Sequence, residues 1–324
     1  MGLGSVSCEK PKACLFGFFL GFFHLVGGLG SVMIVVKMQG GLGNQMFQYA
    51  AGRGLAARLG CRLFLDLSWF RRLPKGATPR VWELGRYPIS AELLDPCDAT
   101  SPWFWSMERL GCLWRTEGSW NWARSLREDA RKFDDRLFSL KGKRVLEGYW
   151  QCPAYFESVA DSLRQELSPM DAMGAEDASV AELIKSSGPR AVAVHVRRGD
   201  YLVGVHAAHH GVCDDDYYRR AFAWMRERLP SPQFFVFSDD PQWVASRPDL
   251  FGGAIQVLHN GPEQAFQDIR LMSMCSAHVI ANSSFSWWGA WLSKGRSDLV
   301  VAPARWLADG SSVPRLLPSS WSRL

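Results

Sequence analysis

Two arginines stand side by side in His195-Val196-Arg197-Arg198-Gly199-Asp200-Tyr201, directly after an apolar run at 191–196 that reads as a β-strand. In open α/β sheets, ligands bind at the carboxyl ends of strands. Paired guanidinium groups at such an end form a planar, permanently charged fork suited to a diphosphate. Asp200 can orient an arginine or hold a sugar hydroxyl, and His195 and Tyr201 flank the fork. A surface ion-pair cluster is the competing explanation. Exposed pairs contribute little stability, so it accounts poorly for this concentration of charge.

Three other segments could do chemistry. In Asn282-Ser283-Ser284-Phe285-Ser286-Trp287-Trp288-Gly289 a strand gives way to a helix, and hydroxyls with backbone N–H groups at a helix start make an anion site. Ordinary capping by Ser284 or Ser286 is the alternative. Gly40-Gly41-Leu42-Gly43-Asn44-Gln45 is a glycine loop between a strand and a helix. It matches a dinucleotide fingerprint only in part, because Met46 stands where the third glycine belongs. With Asp66 after the next strand, it leaves a nicotinamide-dependent oxidoreductase open; a silent nucleotide-sugar-binding protein is a second alternative. Asp214-Asp215-Asp216 contains a D-x-D, but it opens a helix, where acids are favoured by the dipole. Asp239-Asp240 closes a strand and is better placed for a ligand. No His, Asp or Glu set has metal-ligand spacing, so no metal and no cofactor is expected.

The elements that must position these residues alternate. Strands at 33–38, 62–67 and 145–150 and helices at 44–59 and 153–167 make one unit. Strands at 191–196, 234–238, 255–258, 278–281 and 299–302, with helices at 215–229, 264–275 and 287–292, make another. That alternation predicts an α/β fold with parallel sheets: two Rossmann-like units facing each other over 33–170 and 185–324. The polar stretch 169–189, with a short helix at 180–185, is the expected boundary. Residues 68–125 show no order. Five tryptophans, among them Trp120 and Trp122, crowd into 103–122; they offer faces for a sugar, or simply core.

The chain has 324 residues, 47% hydrophobic and 21% charged, with a net charge of +5. This is a globular composition, and no basic block interleaved with aromatics suggests nucleic acid. Eight irregularly spaced cysteines, with no C-x-x-C pair, read as reduced thiols in a cytoplasmic setting. Residues 13–36 carry no charge and follow Lys10 and Lys12. This can be a membrane anchor or peripheral attachment, or 1–32 can be an extension upstream of a true start at Met33.

Taken together, the segments resemble the family 11 glycosyltransferases, the α-1,2-fucosyltransferases, particularly the bacterial ones. The resemblance rests on Val36 to Tyr49, Gly148-Tyr149-Trp150-Gln151, His195 to Tyr201, Phe237-Ser238-Asp239-Asp240 and Asn282 to Leu292, and covers roughly 33–305. It implies a GT-B-like fold and inverting, metal-independent transfer of L-fucose from GDP-β-L-fucose to the 2-hydroxyl of a terminal galactoside. By the same resemblance Arg197, Arg198 and Asp200 are catalytic. His195, Tyr201, Gly43, Asn44, Asp239, Asp240, Ser283, Ser284, Phe285 and Ser286 hold the donor. Trp150 and Gln151 of the matched middle segment, and Trp120 and Trp122, which lie outside the matched segments but offer stacking faces, are expected to face the acceptor glycan. No general base is identified; Asp66 and the histidines at 206, 209 and 210 are candidates.

Overall fold

The computed structural model describes residues 33–71, 78–94, 124–128, 134–140, 144–199, 211–295, 297–311, 313 and 315–324. The expectations for 1–32, Asp200, Tyr201, Trp120, Trp122 and the three histidines lie outside these residues.

Runs of β-branched and aromatic side chains form the central strands of two parallel sheets. The first has the order β3-β2-β1-β5-β4, with β1 Met33–Lys37, β2 Arg62–Asp66, β3 Glu92–Leu93, β4 Arg124–Arg127 and β5 Arg144–Glu147. The second has the order β11-β10-β9-β6-β7-β8. Its strands are β6 Ala191–Val196, β7 Gln233–Ser238, β8 Ile255–Val257, β9 Ala277–Val279, β10 Val300–Ala302 and β11 Ser322–Arg323. Every residue of β6 is buried, as a strand covered by helices on both faces requires. Strand order reverses between β1 and β5 in one sheet and between β6 and β9 in the other, and such switch points leave crevices at the carboxyl ends.

Helix α1, Leu42–Leu59, follows β1 and is buried on most sides. It covers its own sheet and also meets α9, Ser284–Leu292, of the second unit. Phe47 lies 4.5 Å from the Trp287 ring and 4.9 Å from that of Trp288, and Phe156 stacks on Trp288 at 5.6 Å. One hydrophobic cluster therefore runs through both units. The result is a GT-B-like pair of facing Rossmann-like units.

Several boundaries differ from expectation. The helix expected over 153–167 breaks into two 3₁₀ turns and a short helix, Ala160–Glu166, with the backbone leaving helical angles at Phe156 (φ −135°) and Val159 (φ −121°). The stretch 169–189 is mostly helix: Ala175–Ser187 packs on Ala265–Met274 and on β6, so it belongs with the second unit rather than linking the two. The last helix starts at Ser284, three residues early, since its serines cap it.

Candidate active site

Register builds the cationic centre. In the parallel pair β6–β7, His195 lies opposite Phe237 and Val196 opposite Ser238. Continuing that register sets Arg197 against Asp239 and Arg198 against Asp240. Arg197 Nη1 lies 3.0 Å from Asp239 Oδ2, and Arg198 Nε lies 3.4 Å from Asp240 Oδ2. The Arg198 backbone N–H donates to Asp239 Oδ1 at 2.8 Å. Asp240 also caps the short helix Pro241–Ala245 by accepting the Trp243 N–H at 3.0 Å. That fixes the Trp243 ring, over which the Arg198 and Arg247 guanidinium carbons lie at 4.4 and 4.1 Å. Asp239 and Asp240, expected to hold the donor, hold the arginines. The arginine side chains keep 22% and 16% exposure, enough to meet an anion without rearranging.

The serine turn lies on the neighbouring strand, since β6 pairs with β9. Asn282 is buried, and its Nδ2 donates to the Trp306 carbonyl at 3.1 Å, which pins the turn. Ser283 caps α9 by accepting the Phe285 N–H. The Ser286 hydroxyl is fully buried and donates weakly to the Ala281 and Ser283 carbonyls. Ser284 and Phe285 are half-exposed at the start of this helix, where backbone N–H groups favour an anion. The expected phosphate contact through the Ser286 side chain is corrected by its burial. His195 is buried, its ring 5.4 Å from Phe285; burial and the Arg197 charge push its pKa down to about 3, so it is a neutral wall of the crevice.

Across the crevice stands the glycine loop. A Cβ on Gly43 would lie 2.7 Å from Phe285 N and 2.8 Å from Ser284 Oγ, so glycine is what lets the two units touch. Asn44 Oδ1 accepts the Gln151 side-chain N–H at 2.8 Å, tying the loops that follow β1 and β5 together. Trp150 is fully buried with φ 55°, so it cannot present a face to a sugar, contrary to expectation. Its neighbour Tyr149 is 38% exposed and reaches the loop at Gly40. Sequence reasoning missed Tyr149; the positive φ at Gly148 and Trp150 inverts the expected facing, and no local signal reveals it.

The alternatives read from the glycine loop fare poorly. A dinucleotide fold seats its pyrophosphate on the α1 N-terminus. Here Ser284 and Phe285 fill the space above Gly43. Asp66 is 5% exposed and accepts the Ser68 N–H at 2.9 Å, so it braces a turn. Of the acidic triplet, Asp214 caps the helix Asp215–Arg228, Asp215 pairs with Arg247 at 2.9 Å and Asp216 with Arg219 at 3.2 Å. No group of three metal-ligating side chains occurs among the described residues.

A cavity of about 500 Å³ opens beyond β8, lined in part by Asp177, His259, Asn260 and Gln267. His259 Nε2 and Asn260 Nδ2 both contact Asp177 Oδ1 at 2.9 Å, and the buried Gln267 Oε1 has no hydrogen-bond partner. Burial of Asp268 next to it raises that carboxyl to about 7, against the pull of the Asn260 hydrogen bond.

Residues 120–312 match the family model for glycosyl transferase family 11. The chain is 30% identical over 284 residues to an α-1,2-colitosyltransferase of Escherichia coli, covering 85% of this chain and 92% of that one. It is 31% identical over 315 residues to the O-antigen biosynthesis glycosyltransferase WbnK of Escherichia coli, covering 89% and 99%. Over 270 residues it is 28% identical to galactoside α-(1,2)-fucosyltransferase 1 of Homo sapiens, covering 80% and 65%. The solved structure of NodZ α-1,6-fucosyltransferase soaked with GDP-fucose aligns with a TM-score of 0.46 at 16% identity, covering 81% and 93%.

Proposed function

The chain belongs to glycosyl transferase family 11, and from that membership we propose that it moves L-fucose from GDP-β-L-fucose to the 2-hydroxyl of a terminal galactoside, with inversion and without a metal. The observation that carries this reading is the Arg197–Arg198 pair, aimed by Asp239 and Asp240 at the switch point of the second sheet beside the α9 N-terminus. As the fucosyl C1–O bond breaks, negative charge grows on the leaving diphosphate. Fixed cations and backbone N–H groups stabilise that charge without reorganising. The unpartnered Gln267 Oε1 at the cavity beyond β8 suits the N–H edge of a guanine. The acceptor enters from the first unit, past Tyr149 and Gln151 at its own switch point.

Colitose is fucose without its 3-hydroxyl, so the colitosyltransferase relative makes GDP-colitose the rival donor. The test is incubation with each donor and a panel of β-galactosides, with linkage assignment of any product. An α-1,2-fucosylated galactoside supports the reading. Turnover of GDP-colitose alone replaces the donor, and GDP binding with no turnover of either reduces the protein to a binder.

A further inference from the structure

Three glutamines tie the loops at the carboxyl end of the first sheet into one rigid surface. Gln45 and Gln48 are fully buried on the helix that follows β1. Gln45 Nε2 donates to the Gly40 and Val81 carbonyls at 2.9 and 2.8 Å, and its Oε1 accepts the Glu83 N–H at 3.0 Å. Gln48 Oε1 accepts the Gln39 N–H at 3.0 Å, and its Nε2 donates to the Gly148 carbonyl at 3.1 Å. Gln151, half-buried, donates to Asn44 Oδ1 at 2.8 Å. Buried amides satisfied on both sides rigidify what they join. Here they join the glycine loop, residues 81–83 and the turn 148–151 across the switch point between β1 and β5.

The Gln151 bond uses the oxygen of the Asn44 amide, and among the described residues the Asn44 Nδ2 donates to nothing. Asn44 is half-buried, so its N–H groups stay within reach of a ligand. Nδ2 lies 3.0 Å from the position a Cβ would take on Gly40, and Tyr149 Cε1 lies 3.5 Å from the same point. Gly40 has φ 79° and no side chain, so the space between amide and ring stays open. Asn44 directly follows Gly43, whose carbonyl accepts the Trp288 indole N–H and where the chain abuts Ser284 and Phe285. The opening therefore lies on the first unit's side of the crevice, beside the point where the two units meet.

We propose that the space above Gly40 holds the acceptor galactose. Asn44 Nδ2 donates to a ring hydroxyl other than the one that attacks, and the Tyr149 ring lies against an apolar face of the sugar. This rests on the fucosyl-transfer reading, and it moves Asn44 from the donor to the acceptor. Both partners of the opening, Gln151 and Tyr149, belong to the loop after β5 of the first unit, whereas the cations for the diphosphate belong to the second. The choice of hydroxyl follows from the chemistry of the amide. An attacking oxygen needs its lone pair for the anomeric carbon, and an N–H donor held against that pair would slow the attack. The same donor on a neighbouring hydroxyl orients the sugar without that penalty. The Gln151 bond already fixes the amide, so little side-chain entropy is lost when the sugar binds.

Wild-type turnover is measured first in the full chain, with GDP-fucose and a methyl β-galactoside, and then with the 3-, 4- and 6-deoxy analogues of that galactoside. Asn44→Ala should raise the galactoside KM about 10-fold, the scale of one hydrogen bond to a hydroxyl, and leave the KM for GDP-fucose within about 2-fold. For one deoxy analogue the wild type should already show that loss, and Asn44→Ala should add nothing to it, as a double-mutant cycle requires of a direct contact. An equal rise for every analogue, as mere loss of the Gln151 tie would give, overturns the proposal. So does a rise in the KM for GDP-fucose with that for the galactoside unchanged. If Asn44→Ala does not fold, Asn44→Asp still accepts the Gln151 N–H but has no N–H to donate, and the same cycle decides with the same outcomes. Wild type that transfers fucose to no galactoside sinks the underlying reading instead, with GDP binding and an intact fold as controls.

Discussion

The indole N–H of Trp288 donates to the Gly43 carbonyl at 2.9 Å, a bond from the second unit to the first within a buried aromatic cluster. Both partners are fixed by sequence chemistry: a tryptophan that must satisfy its one donor, and a glycine that lets backbone meet backbone. Gly43→Ala would push a methyl to 2.7 Å from Phe285 N and the Ser284 carbonyl carbon. Backbone there cannot give way as a side-chain tip can. Overpacking of this kind costs about 1–3 kcal/mol. Urea unfolding should register it, together with weaker GDP binding, because the displaced atoms belong to the turn proposed to hold the diphosphate. An unchanged midpoint would show that the units do not touch as described.

Arg198→Lys should lose about 100-fold in kcat with the fold intact, which is the usual scale for removing one fixed donor to a developing charge. Lysine keeps the charge but cannot stack on Trp243 or present a planar fork. Trp243→Leu, which leaves Arg198 in place but removes its platform, should cost about 10-fold or less, as cation–π contacts suggest. Equal losses in the two variants would mean that the platform, not the fork, sets the rate.

Much of this was legible beforehand where burial is uniform. The all-apolar β6 and the aromatic β7 stand within a residue of their expected bounds. The strands that escaped notice are edge elements: β3 has two exposed residues, β4 reads Arg-Ser-Leu-Arg, and β11 has two residues at the chain end. Edge strands of that kind carry charge and little apolar pattern. At the site, residue type exposed the arginine pair, but their partners depend on the β6–β7 register, which no single segment encodes. Trp150 misled for a related reason. Its left-handed backbone turns the ring inward, and only the packing against Tyr155 at 5.6 Å reveals it.

Turnover should survive excess EDTA. Each acid of the two candidate clusters is already engaged: Asp214 with a helix N-terminus, Asp215 with Arg247, Asp216 with Arg219, Asp239 with Arg197 and Asp240 with Arg198. A divalent ion would have to displace those partners, while the arginines supply the electrostatic role such an ion plays elsewhere. Loss of activity in EDTA with recovery in manganese would return these carboxylates to the list of ligands.

Asp268→Asn should stabilise the unliganded protein at pH 8 and not at pH 4.5. Burial raises the Asp268 carboxyl to about 7 in the folded state, above its usual value in the unfolded chain. The folded state therefore binds the extra proton between those values. The group's contribution is fully present below pH 4 and is lost as pH rises through about 7. Asparagine cannot ionise, and its Oδ1 still accepts from Asn260, whose bond to Asp268 is 2.8 Å. The buried neutral histidines His195 and His278, held down to about 3 and about 4, work with the opposite sign but are common to both proteins, so they cancel. The gain at pH 8 should reach about 1 kcal/mol or more. A difference independent of pH would show that the carboxyl titrates normally.

Tyr149→Ala should raise the acceptor KM several-fold while leaving GDP affinity unchanged. The aromatic face available near the first sheet's switch point is Tyr149, which is 38% exposed, whereas Trp150 is wholly buried. Three features aim it. Gly148 has φ 145° and Trp150 has φ 55°, conformations that reverse the facing of neighbouring side chains. Glu128 clamps both following N–H groups, and a Cβ on Gly148 would lie 2.5 Å from the Glu128 Cβ. Gln151 then bonds to Asn44, placing the turn beside the glycine loop and opposite the arginines. A ring fixed in this way can stack on a pyranose at little entropic cost, since it has few rotamers left to lose. Gly148→Ala should mimic Tyr149→Ala in acceptor KM, because alanine is strained at that φ and collides with Glu128. Tyr149→Phe should behave as wild type if the face matters, and as alanine if the hydroxyl does. Should Tyr149→Ala instead weaken GDP binding, the ring belongs to the donor side and the two halves of the crevice have been assigned the wrong way round.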